Sequence, residues 1–346
     1  MEWIEDVLNP SWTTLKNSLS GVSGGGPTAS TAVLSDQTIV NKWDVLKIPS
    51  TGEVMVVMAV SGAYYLSVIR DYGQISAASA ASAADVVIIG SAFAEGSSGS
   101  ALETLSTRTE SKYNYLQIFR KSVQLTKTLA NTELYGGADR PYQRKKKGIE
   151  LMRDLERSFL FGAKYQDATA TYDTANTANR RTTAGIDAFI STNSTTAGGA
   201  LTESEFEGFL RSVFRYGSNS RYLFCAPLIL SVVSLWAQGK LQTFPKDKTY
   251  GIAISQYLSP HGTVNLVKEL MLENAGGVSS TSNYGGYAYA IELEDVTYRY
   301  LQNRDVQMET DIQNPGDDFY KDQYIAEVGM EFHNEQKHAK LYGVTS

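Results

Sequence analysis

The chain offers few residues able to do covalent or acid–base chemistry, and each has an ordinary structural use. Gly21-Val22-Ser23-Gly24-Gly25 spells G-x-S-x-G, the spacing that puts a serine nucleophile on a tight strand-to-helix turn. Glycine-rich sequence surrounds it and Pro27 follows, which suits a linker. His333 and His338 are five residues apart. On a strand they face opposite ways and on a helix they sit about 140° apart, so their rings do not converge on a metal. His261, between Pro260 and Gly262, reads as a turn residue. Cys225 is the one cysteine and lies in an apolar run, where a thiol is buried and inert. A single cysteine also excludes an intrachain disulfide framework and a multi-cysteine zinc site. The basic run Arg144-Lys145-Lys146-Lys147 could grip phosphates, line a solvated helix face or make an ion-paired subunit contact. No phosphate-binding P-loop, dinucleotide fingerprint or paired-carboxylate pattern is present. The expectation is no catalytic residue, no cofactor and no metal.

Composition narrows the class further. The 346 residues carry a net charge of −6, which argues against a protein whose main work is holding nucleic acid. The opening MEWIEDVLNP is acidic and lacks the basic region of a signal peptide. The most apolar stretch, Leu223 to Ala237, contains Pro227 and two serines and is too short to span a bilayer. A cytosol is the expected compartment. Tyr 21 outnumbers Phe 12 and Trp 4, a hint of contact surfaces that keep a polar handle.

The positional elements follow. Residues 1–30 end in SLSGVSGGGPTAS and read as a mobile or partner-ordered arm. Residues 31–96 carry short apolar runs (Val54 to Val60, Leu66 to Val68, Val86 to Ile89) punctuated by Gly52, Gly62, Gly73 and Gly90, which predicts a small β-sheet or barrel. The tract Ser76–Ala84 reads as a flexible loop within it. This segment is expected to bury little by itself and to gain its burial on a neighbouring subunit. Residues 107–128 read as extended. Pro141 then opens a helix over 142–161, with Ile149, Met152, Leu155 and Phe159 on one face, Lys146–Glu150 and Asp154–Arg157 at ion-pair spacing, and Gly162 as the stop. Residues 163–200 read as a long loop around GIDAFI. Thr202 with Glu205 forms a capping box before the apolar stripe Phe206, Phe209, Leu210, Val213, Phe214. RYLFCA, GTVNLVKELML and YAYAIEL read as strands and PLILSVVSLWAQG as a helix, an α+β or α/β module. Near the C-terminus Ala326, Val328, Met330 and Phe332 alternate with Glu327, Gly329, Glu331 and His333, a half-buried strand with an acidic outer face.

Four stretches in this order carry a resemblance: TGEVMVVMAVSG, YNYLQIFRKSVQLTKT, RKKKGIELMRDLERSFLFG followed by GIDAFI, and DVQMETDIQNPGDDFYKDQYIAEVGMEFHNEQKHAKLYGV. Together they resemble the major capsid proteins of tailed bacteriophages, with the α+β fold named for phage Hong Kong 97, and among these the subfamily with a β-rich insertion before the central helix. The resemblance spans most of residues 40–344. It implies an N-terminal arm (1–30), a β-rich insertion or extended loop (31–106), a peripheral domain with a long spine helix (107–200, helix 142–161), an axial domain (201–300) and closing peripheral strands (301–346). The structural and interface candidates are Ile149, Met152, Leu155 and Phe159, the run Arg144, Lys145, Lys146 and Lys147, and Glu53.

The implied function is a major capsid protein that self-assembles, as pentamers and hexamers, into the icosahedral head shell around a double-stranded DNA genome. Assembly in the host cytoplasm and residence in the virion follow. The implied partners are a separate scaffold protein, a portal and decoration proteins, with non-specific contact to packaged DNA and none to a membrane. An encapsulin-type cargo compartment shares the fold and is the alternative. A tail or baseplate protein, and a small hydrolase using Ser23, are the alternatives of other classes. An acidic lining would repel phosphates and so confine a genome without holding it.

Overall fold

A computed structural model describes residues 1–6, 8–21, 28–36, 38–61, 65–74, 77–97, 109–132, 135–167, 180–240, 256–274 and 284–345. The chain forms two compact units: Asp6–Glu110, and Met1–Glu5 with Ser111–Ser346.

The smaller unit is a six-stranded antiparallel sheet. Its spatial order is Trp12–Thr14, Asp85–Ser91, Asp44–Lys47, Val54–Ser61, Tyr65–Arg70, Thr28–Val33. The two outer strands then meet. Leu15 bridges Leu34, the Lys16 amide donates to the Val33 carbonyl at 2.8 Å and the Ser35 amide to the Thr14 carbonyl at 2.9 Å. The sheet therefore closes on itself, which removes its free edges. Register shifts at Val45/Leu46 and Val57/Ala59 supply the bends. Gly90 sits at the first of them with φ 153°, a conformation that a side chain would strain. Leu15, Leu34, Leu46, Ile48, Met55 and Leu66 fill the interior.

Three expectations change here. Residues 1–30 are not an arm in their described part. Trp12–Thr14 and Thr28–Val33 are the closing strands, and Leu15 and Leu19 are buried. Ser23 and its glycines lie outside the described residues. The tract Ser76–Ala84 is not simply a loop. Ala80 is buried and exchanges two 2.9 Å backbone hydrogen bonds with Leu19, a position where only a small side chain closes against the core; Ser76 lies outside the described residues. The unit also has a core of its own, because the supposed arm supplies the strands that complete it.

The larger unit holds two large sheets, with smaller two-stranded pairings beside them. The six-stranded sheet runs in the order Ser194–Gly199, Ala339–Val344, Ala288–Ile291, Ser220–Cys225, Gly262–Lys268, Gln256–Ser259, and two of its pairs are parallel. Helix Glu203–Val213 carries the expected capping box and buries Phe206, Phe209, Leu210 and Val213 against this sheet together with helix Pro227–Lys240. In the four-stranded sheet, the long strand Phe319–Phe332 pairs with Gln117–Thr126 on one side and with Val296–Tyr300 and Gln307–Glu309 on the other.

The expected boundaries at 300 and 301 do not follow these sheets. Val296–Tyr300 joins the four-stranded sheet, and Ala339–Val344 joins the six-stranded one because Ala339, Leu341 and Val344 are buried in its core. Residues 163–200 are not one loop; they include helix Ile186–Phe189 and strand Ser194–Gly199. GTVNLVKELML breaks after Lys268 into a strand and the short helix Leu270–Asn274. Strands Glu2–Glu5 and Glu110–Tyr113 pair with each other, and Met1 and Asn114 exchange 3.0 Å backbone hydrogen bonds beside them. No helix among the described residues is long and apolar enough to cross a membrane.

Candidate functional site

The long helix, Asp139–Phe161, begins three residues before the expected start, with Pro141 in its first turn. It lies across Gln117–Thr126 and the long strand, burying Leu151 and Leu155 on Phe119, Ala326 and Val328. Leu160 enters a second cluster with Ile186, Met330 and Phe332. Phe159 is partly buried between the two clusters. Ile149 and Met152 are about half exposed, so the expected four-residue face is corrected. At about 100° per residue, Ile149 lies about 120° around from Leu155 and sits outside the packing face. Gly162 and Gly185 let the helix end and the start of GIDAFI touch: the Gly185 amide donates to the Gly162 carbonyl at 2.8 Å, and a Cβ on Gly185 would lie 2.7 Å from the Gly162 nitrogen.

A charged clip holds the other end. Buried Asp322, on the long strand, accepts two bonds from Arg140 (2.8 and 2.6 Å), one from Arg144 (2.8 Å) and one from the Asp311 amide (3.0 Å). Burial alone would raise this carboxyl; the arginine bonds overcome it and hold Asp322 well below the usual carboxylate range. Arg144 is therefore engaged within its own subunit. Lys147, not Lys146, pairs with Glu150 (2.6 Å). Asp154 pairs with Lys121 at 2.6 Å and more loosely with Arg157 at 3.7 Å. Lys145 and Lys146 are exposed.

Glu53 is buried, not presented at a surface. Arg70 donates to both of its oxygens at 2.6 and 2.7 Å and also to the carbonyls of Ser20 and Ala78, while the Ala78 amide donates to Glu53 at 3.2 Å. A carboxylate facing a closed sheet's interior needs such complete satisfaction. The acidic outer face expected on the long strand is likewise covered: Glu331 meets Arg299 (2.5 Å) and His333 (2.7 Å), and Glu327 meets Arg304 (2.9 Å).

Two further reactive side chains, Cys225 and His338, are buried. Burial pushes the Cys225 thiol up to about 12. His338 is fully buried against Phe332. Burial pulls it down to about 4, and its Nδ1 accepts from the Glu292 amide at 3.3 Å. Arg221, also fully buried, lies 3.3 Å from Glu292 and donates to the carbonyls of Tyr216, Ser218 and Ser220. No group of three or more potential metal-ligating side chains gathers among the described residues. The sequence reading missed Arg70, Arg140, Arg221 and Asp322. The i, i+4 spacing of Arg140 and Arg144 was the one available signal.

Beside the helix run two shallow adjoining grooves of about 360 and 630 Å³, which share Met152, Glu156 and Val306. The exposed helix face presents apolar side chains between charges.

The family model described as SU10 major capsid protein matches residues 1–345. The chain belongs to that family. It is a capsid shell protein, and its fold mixes helices with many strands. No curated protein matches the sequence. Among solved structures, the capsid of cyanophage P-SCSP1u is 12% identical with a TM-score of 0.43, covering 99% of this chain and 91% of that one. The capsid of the native GTA particle is 10% identical, TM-score 0.49, covering 73% and 81%. The holo-SrpI encapsulin complex of Synechococcus elongatus PCC 7942 is 9% identical, TM-score 0.44, covering 69% and 76%. These likenesses are distant, and the family match alone carries the assignment.

Proposed function

We propose that copies of this SU10-family capsid protein assemble as pentamers and hexamers into an icosahedral head shell around the double-stranded DNA of a tailed phage. A separate scaffold and a portal guide assembly in the host cytoplasm, and decoration proteins bind the finished shell. The protein performs no catalysis. The observation that carries this reading is the family match over residues 1–345. The structure gives it physical support. Cys225 and His338 are buried and His333 is paired with Glu331, while apolar side chains such as Leu258 (80% exposed) and Ile89 (58%) stand at the surface of a chain that must make many heterologous contacts. With a net charge of −6, contact with packaged DNA is weak and sequence-independent. In this reading Asp6–Glu110 is the extended-loop element and Asp139–Phe161 the spine helix. Electron microscopy of the purified protein, alone and with its neighbouring gene products, tests it. Closed shells of uniform size are expected; rings, tubes or persistent monomers under all conditions would overturn it.

A further inference from the structure

On the exposed side of the long helix, Lys145, Ile149, Met152 and Glu156 recur at i, i+4, i+7 and i+11. At about 100° per residue the four fall within about 60° of arc and extend along about 17 Å. All four are exposed. The stripe reads cation, apolar, apolar, anion, and therefore complements itself when reversed. Neither Lys145 nor Glu156 has an ion-pair partner among the described residues. Of the neighbouring charges along the helix, Arg144, Lys147, Glu150 and Asp154 are already paired, whereas Lys146 and Arg153 are exposed.

We propose that this stripe is a two-fold contact with a second copy of the chain, the two long helices packing antiparallel so that Lys145 faces Glu156 and Ile149 faces Met152, each twice. This inference rests on the shell reading and names one of its subunit contacts. The symmetry follows from the sequence, because a two-fold contact meets the same patch reversed, and a patch with like charges at both ends would repel itself. The chemistry of Glu156 agrees. Partial burial and the neighbouring Glu269 carboxylate push its carboxyl up against the opposing pull of Arg153 and Arg157, and an arriving ammonium adds to that pull. Half-exposed Ile149 and Met152 gain cover that their own subunit does not give. The stripe is small beside a stable interface, so it works as one weak contact among many in a closed shell.

Charge reversal tests this. Lys145→Glu places carboxylates opposite carboxylates, and Glu156→Lys places ammonium groups opposite each other. Each single variant should form folded subunits, by circular dichroism, with shell yield reduced on the order of tenfold in sedimentation. The double variant, in which the stripe is self-complementary again, should recover shells. So should an equimolar mixture of the two singles. A second arm reads the geometry directly: Ile149→Cys mixed with Met152→Cys should form an intersubunit disulfide under mild oxidation, faster than either variant alone. Singles that assemble normally, or a double variant and mixture that fail to recover, would overturn the proposal, as would absence of the mixed disulfide. If the wild type forms no shells, the shell reading falls, and the disulfide arm still decides the stripe.

Discussion

The two units satisfy buried charge in different ways. In Asp6–Glu110 an ion pair, Glu53 with Arg70, is sealed inside a closed sheet with side-chain exposures of 0% and 1%, and it also holds Ser20 and Ala78. In the larger unit buried charge is divided between two sites, Asp322 with its arginines and fully buried Arg221 beside Glu292. Asp322 is shared by two arginines that are about a quarter exposed, and three apolar clusters divide the core. A closed sheet with one core and one buried pair should fail as a whole when that pair is broken. A unit built from several clusters and two separate charged sites should lose ground in steps.

The largest expected effect is at Glu53. Glu53→Ala strands the Arg70 guanidinium without a counter-charge and should cost about 3–5 kcal/mol. Hydrogen exchange should then accelerate across residues 44–91 and stay unchanged in 203–233. A uniform rise in both units would show that the two do not behave separately. Breaking the pair from both sides, Glu53→Leu with Arg70→Met, should restore much of the loss.

Next comes acid. The folded pKa of His338 is held near 4 by burial, against about 6.5 unfolded. The unfolded chain therefore binds a proton that the native one refuses. His338 leaves stability untouched above about pH 6.5 and withdraws up to about 3 kcal/mol as pH falls from 6.5 to 4. Urea unfolding of the larger unit followed between those pH values should show this slope, and His338→Gln should flatten it. An unchanged slope would place the acid sensitivity elsewhere.

The smallest effect belongs to the spine helix. Leu155 is buried but borders the 630 Å³ groove. Leu155→Ala should therefore cost about 2–3 kcal/mol, near the low end for a buried leucine, while Met152→Ala, at a half-exposed position, should cost well under 1 kcal/mol. Equal losses at the two positions would mean that the packing face is misassigned.

These contrasts also mark what could be read in the sequence. Local signals survived: the Thr202–Glu205 cap, the helix stop at Gly162 and the alternation from Ala326 to Phe332 depend on residues close in the chain. The misreadings all involve distance. Residues 12–14 and 28–30 read as part of an arm until Val33 and Thr14 are seen to close a sheet, and the tract Ser76–Ala84 reads as a flexible loop until Ala80 is placed against Leu19. Glu53 looks like a lone surface carboxylate because its partner stands 17 residues away on another strand. Helical period placed Ile149 and Met152 on the apolar face, but it cannot tell the side that meets the sheet from the side beside it. The long helix, the capped helix after it and the strand through Ala326–Phe332 were legible in outline; every ion pair that fixes them, apart from Asp154–Arg157 at 3.7 Å, was not.

The central claim is that Asp6–Glu110 is a body with its own core, serving assembly and not the folding of the rest. Its two connections leave side by side, through the paired strands Glu2–Glu5 and Glu110–Tyr113, so residues 6–110 can be replaced by a short Gly-Ser linker without stretching the chain. Circular dichroism and electron microscopy of that variant give the most direct test. The account predicts a soluble subunit that keeps its helix content and stops at monomers or loose capsomers. Normal closed shells, or a chain that no longer folds, would contradict it.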